Sequence, residues 1–215
     1  MQKSRKGTKR MQEPMNVKER YCFRKIRPEE VSVMFELVKQ RIHWMDEEGI
    51  QGWNMADYTA IYPLSYYESM QDNIFVLADR ETEEIVCAGV LLETDSRWKD
   101  ESPACYLHNF VSRINRATAE EPAGQEICKQ ETRKQEIPGR TTGHMQDPPV
   151  GSIFLAEAEE YARKLGKKYM RLDSAAGNDR LAAYYERQGY LPQGTCVEGG
   201  YHGVLRQKPL KSREN

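Results

Sequence analysis

Gly151 to Tyr190 reads GSIFLAEAEEYARKLGKKYMRLDSAAGNDRLAAYYERQGY, and this stretch decides the fold. Phe154, Leu155, Ala158, Tyr161, Ala162 and Leu165 recur at helical spacing, the stripe of a helix that faces a core. Gly166 stops that helix, because glycine accepts the left-handed conformation that ends helices. Tyr169-Met170-Arg171-Leu172-Asp173 then suits a strand. Gly177-Asn178 breaks it, and Asn178 or Asp179 can cap the next helix by accepting an exposed backbone N–H. That helix carries Leu181, Tyr184 and Tyr185 and ends near Gly189.

The chain before this unit supplies more sheet. Residues 1–20 hold Lys3, Arg5, Lys6, Lys9 and Arg10 with almost no large apolar groups, so a disordered basic tail is expected. Cys22 to Ile26 alternates like a first strand. Pro28 opens a helix in which Val31, Met34, Phe35, Val38, Ile42 and Met45 form one stripe. Trp53, Tyr58, Tyr62, Tyr66 and Tyr67 follow around Pro63, either as aromatics packing a helix pair or as the wall of a pocket. Ile74–Ala78 and Ile85–Leu92 are β-rich runs joined by a polar link, a hairpin pattern. Asp95 to Pro103 is polar and loop-like around Trp98, and a further strand runs from Tyr106 to Ser112.

From Arg113 to Pro149 the pattern lapses. This segment has no aromatic residue, and its large aliphatics are Ile114, Ile127 and Ile137. We read residues 113–149 as a polar, low-complexity insertion within one domain spanning 21–207. Gly194–Glu198 and Tyr201–Gln207 form a closing hairpin around Gly199-Gly200, and 208–215 is a frayed polar tail.

The totals exclude several classes. The chain has 215 residues, 39% hydrophobic and 30% charged, with a formal net charge of -1. That balance gives no global field for nucleic acid or an acidic membrane. No apolar run approaches the roughly 20 residues that span a bilayer, and no apolar segment follows the basic N-terminus as in a secretory signal. Five scattered cysteines without a C-x-x-C pair suit free thiols in a cytoplasmic protein. His43, His108, His144 and His202 lie too far apart, without short-range cysteine partners, for a zinc site, so no metal is expected.

The pattern Asn178-x-x-Leu181-x-x-Tyr184-Tyr185-Glu186-x-x-Gly189-Tyr190, after a glycine-opened helix and an Arg-Leu-Asp strand, resembles the GNAT family of N-acetyltransferases. Tyr106 to Ser112 is similar to that family's central strand. The resemblance covers about Phe23 to Val204. It implies an α/β fold with a twisted mixed sheet flanked by helices, acetyl-CoA as co-substrate, and a small-molecule or peptide amine as acceptor. Direct attack of the amine within a ternary complex is the implied reaction, and a homodimer is compatible with it. Phe110, Val111 and Ser112 would line the pantetheine arm by their backbone, as an added strand does.

The family's phosphate turn, [Q/R]-x-x-G-x-[G/A], aligns with Gln146-Asp147-Pro148-Pro149-Val150-Gly151. Gln146 and Gly151 agree, whereas Pro149 replaces the central glycine and removes a backbone donor. Val150, Gly151 and Ser152 still offer N–H groups at a helix start, where an anion is favoured. Tyr185 matches the tyrosine that protonates the departing thiolate; its other reading is a packed helix tyrosine. Asn178 matches the asparagine near the pantetheine, and can equally be a cap. His108 is a candidate base or a structural histidine, with a water chain to Asp173 or Glu93 as the other route. Trp53 is a candidate acceptor-binding residue. Pro149 and the insertion leave a second overall reading, a catalytically impaired GNAT scaffold that acts as a binding or regulatory module.

Overall fold

The computed structural model describes residues 17–114 and 150–211. Helix α1 (Val17–Arg20) leads into β1 (Tyr21–Lys25), then come α2 (Val31–Glu47), α3 (Tyr58–Ile61) and α4 (Leu64–Ser69). Strands β2 (Ile74–Asp79), β3 (Ile85–Leu92) and β4 (Ala104–Ser112) complete the first half. The second half is α5 (Val150–Lys164), β5 (Tyr169–Ala175), α6 (Asp179–Arg187), β6 (Leu191–Glu198) and β7 (Tyr201–Pro209). Among the described residues seven strands form one mixed sheet in the order β1-β2-β3-β4-β5-β7-β6. All neighbours are antiparallel except β4 and β5, which run parallel. The expected α/β class and flanked mixed sheet are therefore what the chain forms.

Each face of the sheet has its own core. On one, α5 and α6 bury Phe154, Leu155, Ala158, Ala162, Tyr185 and Tyr190 against Leu77, Leu107, Met170 and Leu172. On the other, α2 and α4 bury Met34, Leu37, Val38 and Tyr67 against Ile74, Val76 and Val90. β2 is buried along its whole length, as a strand covered on both faces must be.

The stripe expected on α5 holds except at Leu165, which is 43% exposed just past the helix end. Glu159 takes the opposite course and is buried on α5. Its Oε1 accepts from the Tyr190 hydroxyl at 2.9 Å and from Lys208 Nζ at 2.8 Å, so a buried carboxylate ties α5 to the last strand. This corrects the frayed tail expected from 208. β7 continues to Pro209, and Leu210 is buried with its N–H donating to the Lys168 carbonyl at 2.8 Å.

At the other end, the tail expected over 1–20 stops earlier. Residues 17–20 form a helical turn, and Arg20 Nε donates to the buried Asp79 at 2.8 Å. Residues 1–16, most of the expected insertion (115–149) and 212–215 lie outside the described residues.

Candidate active site

The site begins with a flaw in the β3–β4 ladder. Ala88 pairs with Val111 and Val90 with His108, so Gly89 alone faces both Asn109 and Phe110. The extra residue is a β-bulge, which bends a strand and sharpens its twist. Asn109 carries it with φ 49°, the left-handed region that asparagine tolerates better than most side chains. Glycine fits here because a Cβ would sit 2.7 Å from Leu107 Cδ1 and 3.2 Å from the Phe154 ring, and both side chains would have to shift to admit it.

The bend parts the parallel strands. β4 and β5 pair only from Ala104↔Tyr169 to Leu107↔Leu172. Past that point β4 follows β3 as far as Ser112, and β5 follows β7 as far as Ala175. The inner backbone edges of 108–112 and 173–175 are left facing a gap without ladder partners. Unpaired edges of this kind are where an extended ligand adds as a strand.

One side of the gap meets α5 and α6. A Cβ on Gly151 would lie 2.8 Å from the Tyr184 hydroxyl and 3.6 Å from the Phe110 ring, so the first turn of α5 sits directly against β4 and α6. Phe110 also packs on Phe154 at 5.1 Å. Val150 packs on the same core, and Ser152 Oγ accepts from Gln188 Nε2 at 3.0 Å. Asn178 caps α6 by accepting the Leu181 N–H at 3.0 Å. It also lines a cavity of about 360 Å³ between the β5–α6 turn and Ile50-Gln51. Tyr185 is 6% exposed and shares a core with Leu107 and Leu172, the last paired residues of β4 and β5. Burial pushes its phenol well above the ordinary value, and its hydroxyl has no hydrogen-bond partner among the described residues. Gln146 lies outside the described residues.

On the opposite face the polar loop between β3 and β4 is clamped down. Arg171 is buried, and its guanidinium donates to both oxygens of Asp100 at 2.9 Å, to Gln207 Oε1 at 2.7 Å and to the Tyr106 hydroxyl at 3.2 Å. Its carbon lies 4.0 Å from the centre of the Trp98 ring. So held, the loop sets Asp95 and Arg97 over the place where the strands part. His108 Nε2 is 3.1 Å from Asp95 Oδ2, and its Nδ1 is 3.3 Å from Arg97 Nη1. Arg97 Nη1 also donates to Asp173 Oδ1 at 3.1 Å, and the Tyr201 hydroxyl donates to Asp173 Oδ2 at 2.6 Å. Burial works against charge on Asp95, but the adjacent His108 ring and the Arg97 backbone N–H, which donates at 2.9 Å, bring its carboxyl below the usual range. Glu93, the other carboxylate considered for proton transfer, is instead paired with Lys167 at 2.7 Å.

Asn109 links the bulge to the aromatic row. Its Nδ2 donates to the Tyr58 hydroxyl at 2.6 Å, and its Oδ1 accepts from the Tyr66 hydroxyl at 3.4 Å. Trp53 stacks on Tyr58 at 4.8 Å, so it belongs to this packed row. Val111 is buried in the core beneath α2, which leaves only its backbone for the gap. Ser112 receives Arg41 Nη2 at its carbonyl, 2.7 Å away, and at its Oγ, 3.1 Å away. The structure thus brings His108, Phe110, Val111, Ser112, Gly151 and Tyr185 around one gap. It adds Asp95, Arg97 and Asn109, which sequence reasoning missed; an asparagine inside a strand run was the one local signal for the bulge.

Replacing Asn109 by alanine removes both tyrosine hydrogen bonds and puts a poor residue in the left-handed region. The expected loss is about 2–4 kcal/mol in a denaturant melt. An unchanged midpoint would show that the bulge is held by other contacts.

No model of a known protein family matches the chain, and no curated protein matches it. Solved structures do. A GNAT-family acetyltransferase from Listeria monocytogenes matches at 17% identity and TM-score 0.59, over 88% of this chain and 95% of that one. The PaiA N-acetyltransferase of Thermoplasma acidophilum, solved with coenzyme A, matches at 14% identity and TM-score 0.55, over 88% of this chain and 98% of that one. YncA of Salmonella typhimurium, a protein described as a putative acetyltransferase and solved with acetyl-CoA, matches at 13% identity and TM-score 0.52, over 91% and 96%. At such identities the likeness is one of fold.

Proposed function

We propose that this chain, whose architecture is the GNAT fold, is an N-acetyltransferase that moves an acetyl group from acetyl-CoA to a primary amine. The observation that carries this reading is the parting of β4 from β5 after Leu107 and Leu172, with α5 starting beside it. The open edge at Phe110 to Ser112 supplies backbone donors and acceptors for the amides of a pantetheine chain. The backbone N–H groups of Val150, Gly151 and Ser152, in the first described turn of α5, suit the pyrophosphate. Coenzyme A brings the activated acyl group; the chain's own residues position it and manage two protons.

In the reaction the amine nitrogen forms a bond to the acetyl carbon and the carbon–sulfur bond breaks. The amine's proton passes to His108 at Nδ1, a nitrogen now shared with Arg97 by a contact of only 3.3 Å, while Asp95 fixes the ring from the other side. The departing sulfur takes its proton from Tyr185, whose buried phenol keeps that proton throughout the neutral range. No hydrogen bond among the described residues holds the Tyr185 hydroxyl elsewhere.

Titration calorimetry with acetyl-CoA, followed by thiol release with a panel of amines, tests this. Binding and amine-dependent thiol release are expected. A folded sample that binds no acetyl-CoA up to about 1 mM, a limit corresponding to roughly 4 kcal/mol, would overturn it. Binding without turnover would favour the alternative of a scaffold that reads acetyl-CoA without using it.

A further inference from the structure

The Arg97 guanidinium has two edges with different company. Its inner nitrogen, Nη1, faces Asp173 and His108 where the strands part. Its outer edge, Nε and Nη2, is the flat two-donor fork that matches a carboxylate. One oxygen of Glu198 accepts from both, at 3.0 Å from Nε and 2.6 Å from Nη2. Glu198 ends β6, at the hairpin tip, and its side chain is 67% exposed, against 16% for Arg97. The pair closes one side of an open cavity of about 370 Å³ that is also lined by Lys99, Ser96, Thr195, Cys196 and Val197. Two cations and one carboxylate thus share that cavity. The carboxylate is the member best able to leave, because its own side chain stands mostly in solvent at the hairpin tip while Arg97 is held from within by Asp173.

We propose that this cavity receives a carboxylate of the acceptor, which displaces Glu198 from the outer edge of Arg97, and that the acceptor is therefore an amine that also bears a carboxylate. Glu198 is an internal stand-in for that group. The proposal rests on the acetyl-transfer reading for the fate of the amine, but the binding of the carboxylate stands apart from it. Arg97 spans from the cavity to the parting point, so a carboxylate on its outer edge leaves the amine beside His108 and Asp173. Lys99 adds a second positive charge with a flexible stem, and the Thr195 hydroxyl a donor. Glu198 in turn discriminates: an amine with no carboxylate leaves the latch shut, whereas a carboxylate competes for the fork and opens it. The aromatic row of Tyr58, Tyr62 and Tyr66 meets Asn109, the neighbour of His108 on β4, which suits an apolar or aromatic body on the acceptor.

The test uses the full chain and two reaction products, N-acetyl-L-phenylalanine and N-acetyl-2-phenylethylamine, which differ by one carboxylate. Each is titrated by calorimetry into the wild type and the variants Arg97→Gln and Glu198→Gln. The acidic product is expected to bind the wild type, to bind Glu198→Gln about 10- to 100-fold more tightly, and to lose a similar factor in Arg97→Gln, the range of one charge-assisted hydrogen bond. The neutral product is expected to show no such dependence. Where turnover is present, L-phenylalanine should exceed 2-phenylethylamine in kcat/KM, with Glu198→Gln lowering KM for the former alone. Equal binding of the acidic product to wild type and Arg97→Gln overturns the proposal, as does a Glu198→Gln variant that gains nothing. So does a wild type that binds neither product nor, in a control titration, sodium acetate. A chain that takes the acidic product in this pattern but binds no acetyl-CoA would keep the carboxylate site and lose the transferase reading.

Discussion

Tyr185→Phe is expected to lower kcat for acetyl transfer by about 10²- to 10⁴-fold while leaving acetyl-CoA affinity within about threefold, the range that a positioned general acid contributes. The change removes one oxygen that makes no hydrogen bond among the described residues, so the core around Tyr190 and Leu172 should hold and the melting temperature should stay close to wild type. Tyr184→Phe is the internal control. Its hydroxyl lies against Gly151 and Ser152 at the start of α5, so the loss there should appear in cofactor affinity more than in kcat. Steady-state thiol release and calorimetry on the two variants separate these outcomes. Equal kcat in wild type and Tyr185→Phe would return Tyr185 to the role of a packed core tyrosine.

The second large effect concerns stability. Arg171→Ala is expected to cost about 3–5 kcal/mol, measured by urea unfolding. It empties the space beneath the Trp98 ring and strips partners from Asp100, Gln207 and the Tyr106 hydroxyl at once. Asp100→Ala should cost less, because the guanidinium keeps Gln207, Tyr106 and Trp98. The pair also sets an acid limb. The Arg171 hydrogen bond holds the Asp100 carboxyl at about 2, below its ordinary 3.8. A depressed carboxyl stabilises the fold at pH above its unfolded value and ceases to do so once it is protonated in the native state. The contribution is thus present above about pH 4 and lost as pH falls from there to about 2. Asp100→Ala should flatten that part of the stability curve. Because Asp95 and Arg97 ride on the same loop, Arg171→Ala should also weaken any ligand that depends on Arg97. A variant as stable as wild type would show that the loop is held by something other than this clamp.

What could be read from the sequence is what is local. The helix at Asp179–Arg187 announces itself by an asparagine cap, Tyr184 and Tyr185 at helical spacing from Leu181, and a glycine stop, and all of these signals lie within a dozen residues. The strands Ile74–Asp79 and Ile85–Leu92 are legible for the same reason, as apolar runs on either side of a polar turn. The bulge at Asn109 was not, because it exists only in register against Gly89, twenty residues earlier. The segment from Asp95 to Pro103 reads only as a polar loop, since its anchor Arg171 lies 71 residues beyond Asp100. An arginine in a strand gives no sign that three aromatic rings surround it. Glu159 misleads in the same way: a glutamate between two helix turns reads as surface until Tyr190 and Lys208 arrive from the far end of the chain. The polar half of the site was assembled by contacts of this long-range kind, which is why His108 could be named in advance and Asp95 and Arg97 could not.

The four-residue seam between β4 and β5 has a consequence for how the molecule assembles. Strands β1 to β4 pair in sequence order as one antiparallel unit, and β5 to β7 make a second. Each can begin to form from contacts near in sequence, the kind that form early. The joining of Ala104–Leu107 to Tyr169–Leu172 must instead close a loop of more than sixty residues. Loop-closure entropy grows only with the logarithm of length, so the long polar segment between the halves adds about 0.6 kcal/mol for each doubling. Lengthening that segment should therefore slow docking of the halves only slightly. It also follows that a chain severed within the segment would have two pieces, each with its own strand ladder, that rejoin through the four pairs of the seam and the packing of α5 on the first half of the sheet.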